Sequence, residues 1–242
     1  MDDTENKSEL THEANGMLQG LPGILNGSEM HFIAQPILHR NGMLFGHELL
    51  LRFKEYPDPQ ALLKIVKHLD LRRALDLHVC QMAAELSTCK QDQGCWLLNI
   101  FARSLPTAEV LSALQSLSDC LMPAPLWLHI LELDQVQDMP HLRKAMNQLH
   151  DSKIRFVLDV DSLEHPYSQF LPFDMLRMDV SDHSNPNWHH WLEEAQLRNV
   201  PLLAYRVESE SQVHTLSQKA VDYLQGFAVR DVMTLKMPRY EL

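Results

Sequence analysis

Apolar residues recur along this chain in two rhythms. Period-two alternation or continuous apolar runs predict strands at His31–His39 (HFIAQPILH), Met43–Phe53, Cys95–Ala102 (CWLLNIFA), Leu126–Leu133 (LWLHILEL), Ile154–Asp159 (IRFVLD), Asp174–Asp179, Val200–Val207 (VPLLAYRV) and Tyr223–Val229. Helical spacing of the apolar residues predicts helices at Pro59–His68, Leu69–Ser87, Thr107–Leu121, Met139–Asp151, Asn187–Arg198 and Ser209–Lys219, with Thr107 as an N-cap candidate. Arg40-Asn41-Gly42 joins the first two strands, and Asn-Gly is a hairpin turn signal, so these strands pair antiparallel. After the hairpin, helices and strands alternate at roughly 30-residue intervals, the mark of parallel strands with right-handed crossovers. About seven parallel strands and one antiparallel strand at this length predict an α/β fold, a TIM-like (β/α)8 barrel with an antiparallel first strand.

Residues 1–29 are polar, carry Gly16, Gly20, Gly23 and Gly27, and predict a flexible arm. No Gly/Ser/Pro-rich linker divides the remainder, so residues 30–242 are expected to form one domain. The chain of 242 residues has 21 Lys and Arg against 32 Asp and Glu, a net charge of −11. That balance argues against direct nucleic-acid binding, which calls for a basic stripe, but leaves room for a small anion held by local donors. No apolar run approaches the ~18 residues of a membrane span, and the polar N-terminus does not resemble a signal peptide. Cys80, Cys89, Cys95 and Cys120 lack metal-ligand spacing and fit small apolar fillers in a reducing compartment. The expected location is therefore cytoplasmic.

Candidate chemistry centres on Gly46–Phe53 (GHELLLRF), a predicted strand with a carboxylate and a guanidinium among leucines. In an extended strand Glu48, Leu50 and Arg52 point the same way. Burying either charge alone costs several kcal/mol, so each needs a partner or a site, and a buried Glu–Arg pair is the plain structural alternative. Further polar residues stand at the ends of successive predicted strands: Gln35, Asn99, His129, Glu132, Asp159, Asp161, Arg177, Asp179, Tyr205, Glu208 and Gln225. In a parallel barrel those ends build the site.

Read together, these fragments resemble the EAL domain family, barrels that hydrolyse cyclic di-GMP to the linear dinucleotide. Gln35-Pro36-Ile37 resembles the family's QPI opening and Glu48-Leu49-Leu50-Leu51-Arg52 its EALLR signature, with Leu49 in place of Ala. Leu75-Asp76, Leu98-Asn99, Leu176-Arg177-Met178-Asp179, the run Ala204–Gln212 and the run Asp222–Phe227 resemble the LD, VN, LKID, AEGVETEEQ and DYVQGY segments in order. The likeness extends from about Phe32 to Asp231 and implies the EAL barrel fold.

The resemblance also implies two divalent cations, Mg or Mn, in a carboxylate-rich shell that activates water for attack on phosphorus. Glu48, Asn99 and Asp159 match three of the metal ligands. Four positions of the constellation are changed: a Glu ligand is His129, the second acid of DDFG is Val160, the Lys of LKID is Arg177, and the first Glu of AEGVE is Tyr205. Glu132 survives as the second Glu of the E-x-T-E motif, which in the family holds a neighbouring loop. In a strand Asp161, one residue on from Val160, falls on the face opposite the position of the lost acid, so it does not replace it. Asp161–Pro166 also lacks the glycines of the DFGTG loop. Losing one member of a catalytic unit costs ~10²–10⁴-fold in rate, so four losses predict no phosphodiesterase activity and no resident metal.

Residues matching the nucleotide cleft remain at Gln35, Glu48, Leu50, Arg52, Asn99, Asp159, Glu208 and Gln225. Three readings stay open: a regulator that binds a protein partner in a cyclic di-GMP-related pathway, a cyclic di-GMP receptor without hydrolysis, and a weak phosphodiesterase. Tyr205 and Arg206 add bulk near the guanine end of that cleft. The resemblance further implies a homodimer through His165–Phe173, with Tyr167, Phe170 and Phe173 expected to be exposed. Trp188 and Trp191 are expected to pack inward from a surface helix that leaves His189 and His190 outside, and the methionines to fill the core.

Overall fold

The computed structural model describes residues 30–54, 59–88, 94–181, 188–219, 221–230 and 233–234. The arm predicted over 1–29 and Cys89 lie outside the described residues. Strands β1 (Met30–His39) and β2 (Leu44–Phe53) form the predicted antiparallel hairpin, with Gln35 opposite Glu48. Gly42 turns the hairpin with φ +84°, a conformation that costs glycine little. The chain then runs α1 (Pro59–His68), α2 (Arg72–Ser87), β3 (Cys95–Phe101), α3 (Ala108–Leu121), β4 (Leu126–Leu131), α4 (Met139–Asp151) and β5 (Arg155–Asp159). It continues through β6 (Met175–Asp179), α5 (Trp188–Arg198), β7 (Leu202–Tyr205), α6 (Glu210–Ser217), β8 (Tyr223–Leu224) and β9 (Met233–Thr234).

Strands β2 to β8 pair in parallel in chain order, and β1 closes the ring by pairing with both β8 and β2. This is the predicted eight-stranded barrel. The short β9, not foreseen, lies against β1 opposite Ile33 and Ala34. Local chemistry sets several ends. The Asp138 carboxylate accepts from the amide of His141 at 3.0 Å, with Pro140 in the first turn of α4. Ser209 and Gln212 form a capping box at the start of α6.

Other ends differ from expectation. Asp70 takes φ +52°, which breaks the predicted helix over 69–87 so that α2 starts at Arg72. Thr107 occupies the N-cap position, but its hydroxyl donates back to the Ser104 carbonyl at 2.8 Å instead of accepting an amide. Glu132 takes φ +55° and ends β4 at Leu131. The last predicted strand stops at Leu224, because Gly226 turns with φ +155° and its backbone packs against that of Val207.

Inside the barrel the side chains form layers. At the floor, the His39, Phe45, Trp127 and Tyr223 rings meet edge to face or tilted, at centroid distances of 4.3–5.7 Å. Above them Ile37, Leu97, Val157, Met175 and Leu203 form a small buried cluster. Two residues further along those same strands stand Gln35, Asn99, Asp159, Arg177 and Tyr205, so period two alone carries the polar layer to the mouth. The larger core lies between the outer barrel face and the helices, and includes the buried Trp188 and Trp191, while His189 and His190 stay exposed. Each fully buried Leu, Ile or Phe contributes roughly 1.5–3 kcal/mol, so this layer anchors the strands that present the mouth.

Candidate functional site

The polar layer is a connected network with Glu48 at its centre. Glu48 on β2 is buried, at 2% exposure. Its Oε1 accepts from Asn99 Nδ2 at 2.9 Å and from Arg177 Nη1 at 3.1 Å, and its Oε2 accepts from Gln225 Nε2 at 2.6 Å. Gln225 Nε2 also reaches Gln35 Oε1 at 3.1 Å. His129 on β4 bridges to the next strand, with Nε2 3.0 Å from Asp159 Oδ2. Its Nδ1 lies 2.7 Å from Asn99 Oδ1 and 3.0 Å from Arg177 Nη1. That nitrogen can donate to the amide oxygen or accept from the guanidinium, one bond at a time. Arg177 Nε and Asp159 Oδ1 face each other at 3.8 Å, both buried and without a hydrogen-bond partner. The guanidinium carbon stacks 3.9 Å from the centroid of the Tyr205 ring.

This arrangement sets the electrostatics. Burial pushes Glu48 up, but Arg177, His129 and the amides of Gln225 and Asn99 together outweigh it and hold the carboxyl below its usual range. Asp159 is likewise lowered, burial being overcome by His129 and then Arg177. Arg177 is raised, because Glu48 and Asp159 outweigh the cost of burial. Burial pushes the Tyr205 phenol up to about 12, so the group at this position is neutral where the family has an acid.

A cavity of about 480 Å³ opens at the mouth and is lined by Gln35, Glu48, Leu50, Arg52, Asn99, Glu208 and Gln225, with His129, Arg177, Tyr205, Arg206 and Phe227. Seven of the eight expected cleft residues thus share one wall. Asp159 stands off that wall and joins the network through His129. Glu48 does have an arginine partner, but it comes from β6 and not from the same strand: Arg52 Nη1 donates to the Leu51 carbonyl at 2.9 Å. Val160 is buried in the main core.

Three side-chain expectations are corrected. Asp161 is not on the reverse face of a strand, because β5 ends at Asp159 and residues 160–164 form a 3-10 turn. From that turn exposed Asp161 feels Asp159, Glu164 and Asp179, which add to burial in raising its carboxyl. Phe173 is partly buried against the core, whereas Tyr167 and Phe170 are exposed, at 52% and 51%. Cys120 is exposed and fills no gap, whereas Cys80 and Cys95 are buried.

Two further residues carry geometry that the sequence pattern did not show. Arg206 takes φ +61° at the end of β7, so an arginine holds the left-handed backbone that the family's AEGVE motif gives to glycine. Its Nη1 donates to Asp179 Oδ2 at 2.9 Å. Glu132 accepts from Lys67 Nζ at 2.6 Å and from Arg72 Nε at 2.7 Å, which ties the end of β4 to α1 and α2.

The donor set does not fit a pair of hard divalent cations. Such ions need several free carboxylate oxygens. Here both oxygens of Glu48 and one oxygen of Asp159 already face protein donors. Among the described residues, no three His, Cys, Asp or Glu side chains are grouped to hold a metal ion. No helix among the described residues is long and apolar enough to cross a membrane.

The sequence matches the family model for the EAL domain over residues 19–231. No curated protein matches it. The fold is similar to that of an EAL domain protein from Listeria monocytogenes EGD-e, with TM-score 0.71 and 17% identity over 86% of this chain and 90% of the other. It is also similar to the FimX EAL domain of Xanthomonas citri in complex with c-diGMP, with TM-score 0.75 and 16% identity over 96% and 99% of the two chains. The FimX EAL domain of Pseudomonas aeruginosa bound to c-di-GMP aligns with TM-score 0.73 and 19% identity over 91% and 97%.

Proposed function

The chain belongs to the EAL domain family, and from that premise we propose that it is a regulatory member that does not hydrolyse cyclic di-GMP and acts by binding a protein partner. The observation that carries this reading is the state of Glu48. Its carboxylate is buried, and both of its oxygens already accept from Asn99, Arg177 and Gln225, with the cationic Arg177 standing where a metal ion would have to approach. In-line attack on a phosphodiester needs a polarised water and a stabilised leaving oxygen. With His129, Arg177 and Tyr205 around Glu48, neither has a metal to supply it. The changes also narrow the nucleotide space, since Tyr205 and Arg206 stand on the cavity wall. We place the protein in the cytoplasm, in control of motility, biofilm formation or virulence.

A second reading, a cyclic di-GMP receptor without hydrolysis, is favoured by the cavity itself. Gln35, Leu50, Arg52, Glu208 and Gln225 still line it, and Arg52 can offer a guanidinium to a phosphate. Calorimetry with cyclic di-GMP, with and without Mg²⁺ or Mn²⁺, followed by chromatography of the mixture, tests both. The protein-binding regulator predicts neither heat nor product. Heat without product moves the function to the receptor. Linear dinucleotide formed at a rate proportional to protein concentration overturns the proposal and restores the phosphodiesterase.

A further inference from the structure

We infer that Arg177 is a resident cation that replaces the family's divalent metal, and that Tyr205 is the positioning residue that holds it there. This rests on the reading that the mouth holds no divalent ion, and goes on to say what neutralises the site instead. Glu48 and Asp159 retain their charge in the polar layer, and buried carboxylates need a counter-charge close by. Arg177 reaches both, with Nη1 at 3.1 Å from Glu48 and Nε at 3.8 Å from Asp159. Its side chain is 12% exposed.

A guanidinium is flat and always charged, and its fork can address two carboxylates at once, which a lysine ammonium cannot do with the same rigidity. It also needs a surface to lie on. Tyr205 supplies that surface at 3.9 Å, from the strand next to the one carrying Arg177. A carboxylate at position 205 could not stack and would draw the guanidinium off Glu48. Two changes away from the family pattern, Lys to Arg and Glu to Tyr, thus make one device. The cation on β6 becomes larger, and the neighbouring strand gains an aromatic plate beneath it.

The device makes any ligand of this mouth indifferent to divalent ions. It also makes the freed carboxylates a latent metal site once the guanidinium is removed or loosened. The test uses the full chain and Mn²⁺ alone as the probe, read by electron paramagnetic resonance of free Mn²⁺ and by melting with and without the ion. The wild-type protein should bind no Mn²⁺ at the mouth. Arg177→Met should acquire a Mn²⁺-dependent rise in melting temperature and take up the ion at concentrations at least about tenfold below any at which wild type responds, the scale of change seen when the surroundings of a metal site are altered. Tyr205→Leu should show a weaker gain of the same kind. Tyr205→Phe, which keeps the ring, should match wild type.

If Arg177→Met does not fold, Arg177→Lys replaces it, with some Mn²⁺ response expected because the guanidinium fork that addresses both carboxylates is gone. Mn²⁺ seated in the wild-type mouth overturns both this inference and the reading beneath it. Silence of the folded Arg177 variants, or Tyr205→Leu behaving as Tyr205→Phe, overturns this inference alone.

Discussion

Arg177 and Glu48 lie 129 residues apart in sequence and meet at 3.1 Å across the mouth of the barrel. Their strands, β6 and β2, stand four places apart in an eight-membered ring and so face each other across its full width. Removing the arginine leaves Glu48 charged, buried and without its strongest partner. Arg177→Met should cost about 3–5 kcal/mol in denaturant unfolding, and adding Glu48→Gln should recover part of that loss. A single-mutant cost below about 1 kcal/mol would place the pair among weak surface contacts instead.

The same pair predicts an acid dependence. The folded protein holds Glu48 and Asp159 below their ordinary values, so the unfolded chain binds protons first as pH falls. Stability from these groups is full above about pH 4–4.5, the unfolded carboxylate range, and is lost as pH falls through the depressed folded values. In Arg177→Met this acid limb should weaken. Urea midpoints at a series of pH values would measure it, and an unchanged limb would remove Arg177 from the account.

Asp76 on α2 should behave in the opposite sense. It is buried, with Oδ2 accepting from the Phe101 amide at 3.2 Å, and burial raises its carboxyl well above the ordinary value. The folded state therefore keeps a proton that the unfolded chain gives up above about pH 4. Stability from this group falls as pH rises out of that range. Asp76→Asn keeps the acceptor and removes the titration, so its stability curve should meet that of wild type near pH 4 and lie above it at neutral pH. Parallel curves would count against a buried protonated acid.

Gly226 and Arg206 test the loop that carries Gln225. A Cβ at Gly226 would collide with the Val207 backbone, and its φ of +155° disfavours any other residue. Gly226→Ala should destabilise by more than about 2 kcal/mol. Arg206→Gly relieves left-handed strain of about 1 kcal/mol or more and gives up only a partly exposed ion pair with Asp179. A net gain of roughly 0–1 kcal/mol is expected from the shift in urea midpoint. A clear loss would mean that the Arg206–Asp179 contact holds the loop.

Most of the barrel was legible from apolar periodicity, because strands buried on both faces, such as Leu126–Leu131, read as continuous apolar runs. The ends were less legible. Asp70, Glu132 and Arg206 adopt left-handed backbone without being glycine; ion pairs that only the folded chain brings together hold Glu132 and Arg206, and Asp70 pairs with its near neighbour Arg72. The cleft residues could be read because they stand on strands or in the segments that directly follow them. The partner of Glu48 could not, because Arg52 is nearer in sequence and only closure of the ring carries Arg177 across. The turn at residues 160–164 likewise defeats period-two reasoning for Asp161, since the strand has already ended.

The aromatic floor of His39, Phe45, Trp127 and Tyr223 turns the shaft above it into a blind well. Glu48 faces the cavity that opens at the rim. Whatever caps that rim, whether a nucleotide or the surface of another protein, also governs how fast solvent trades with the polar groups around this carboxylate. Occupancy of the well would therefore be reported by slowed exchange deep inside it, even where the outer contours of the protein do not change.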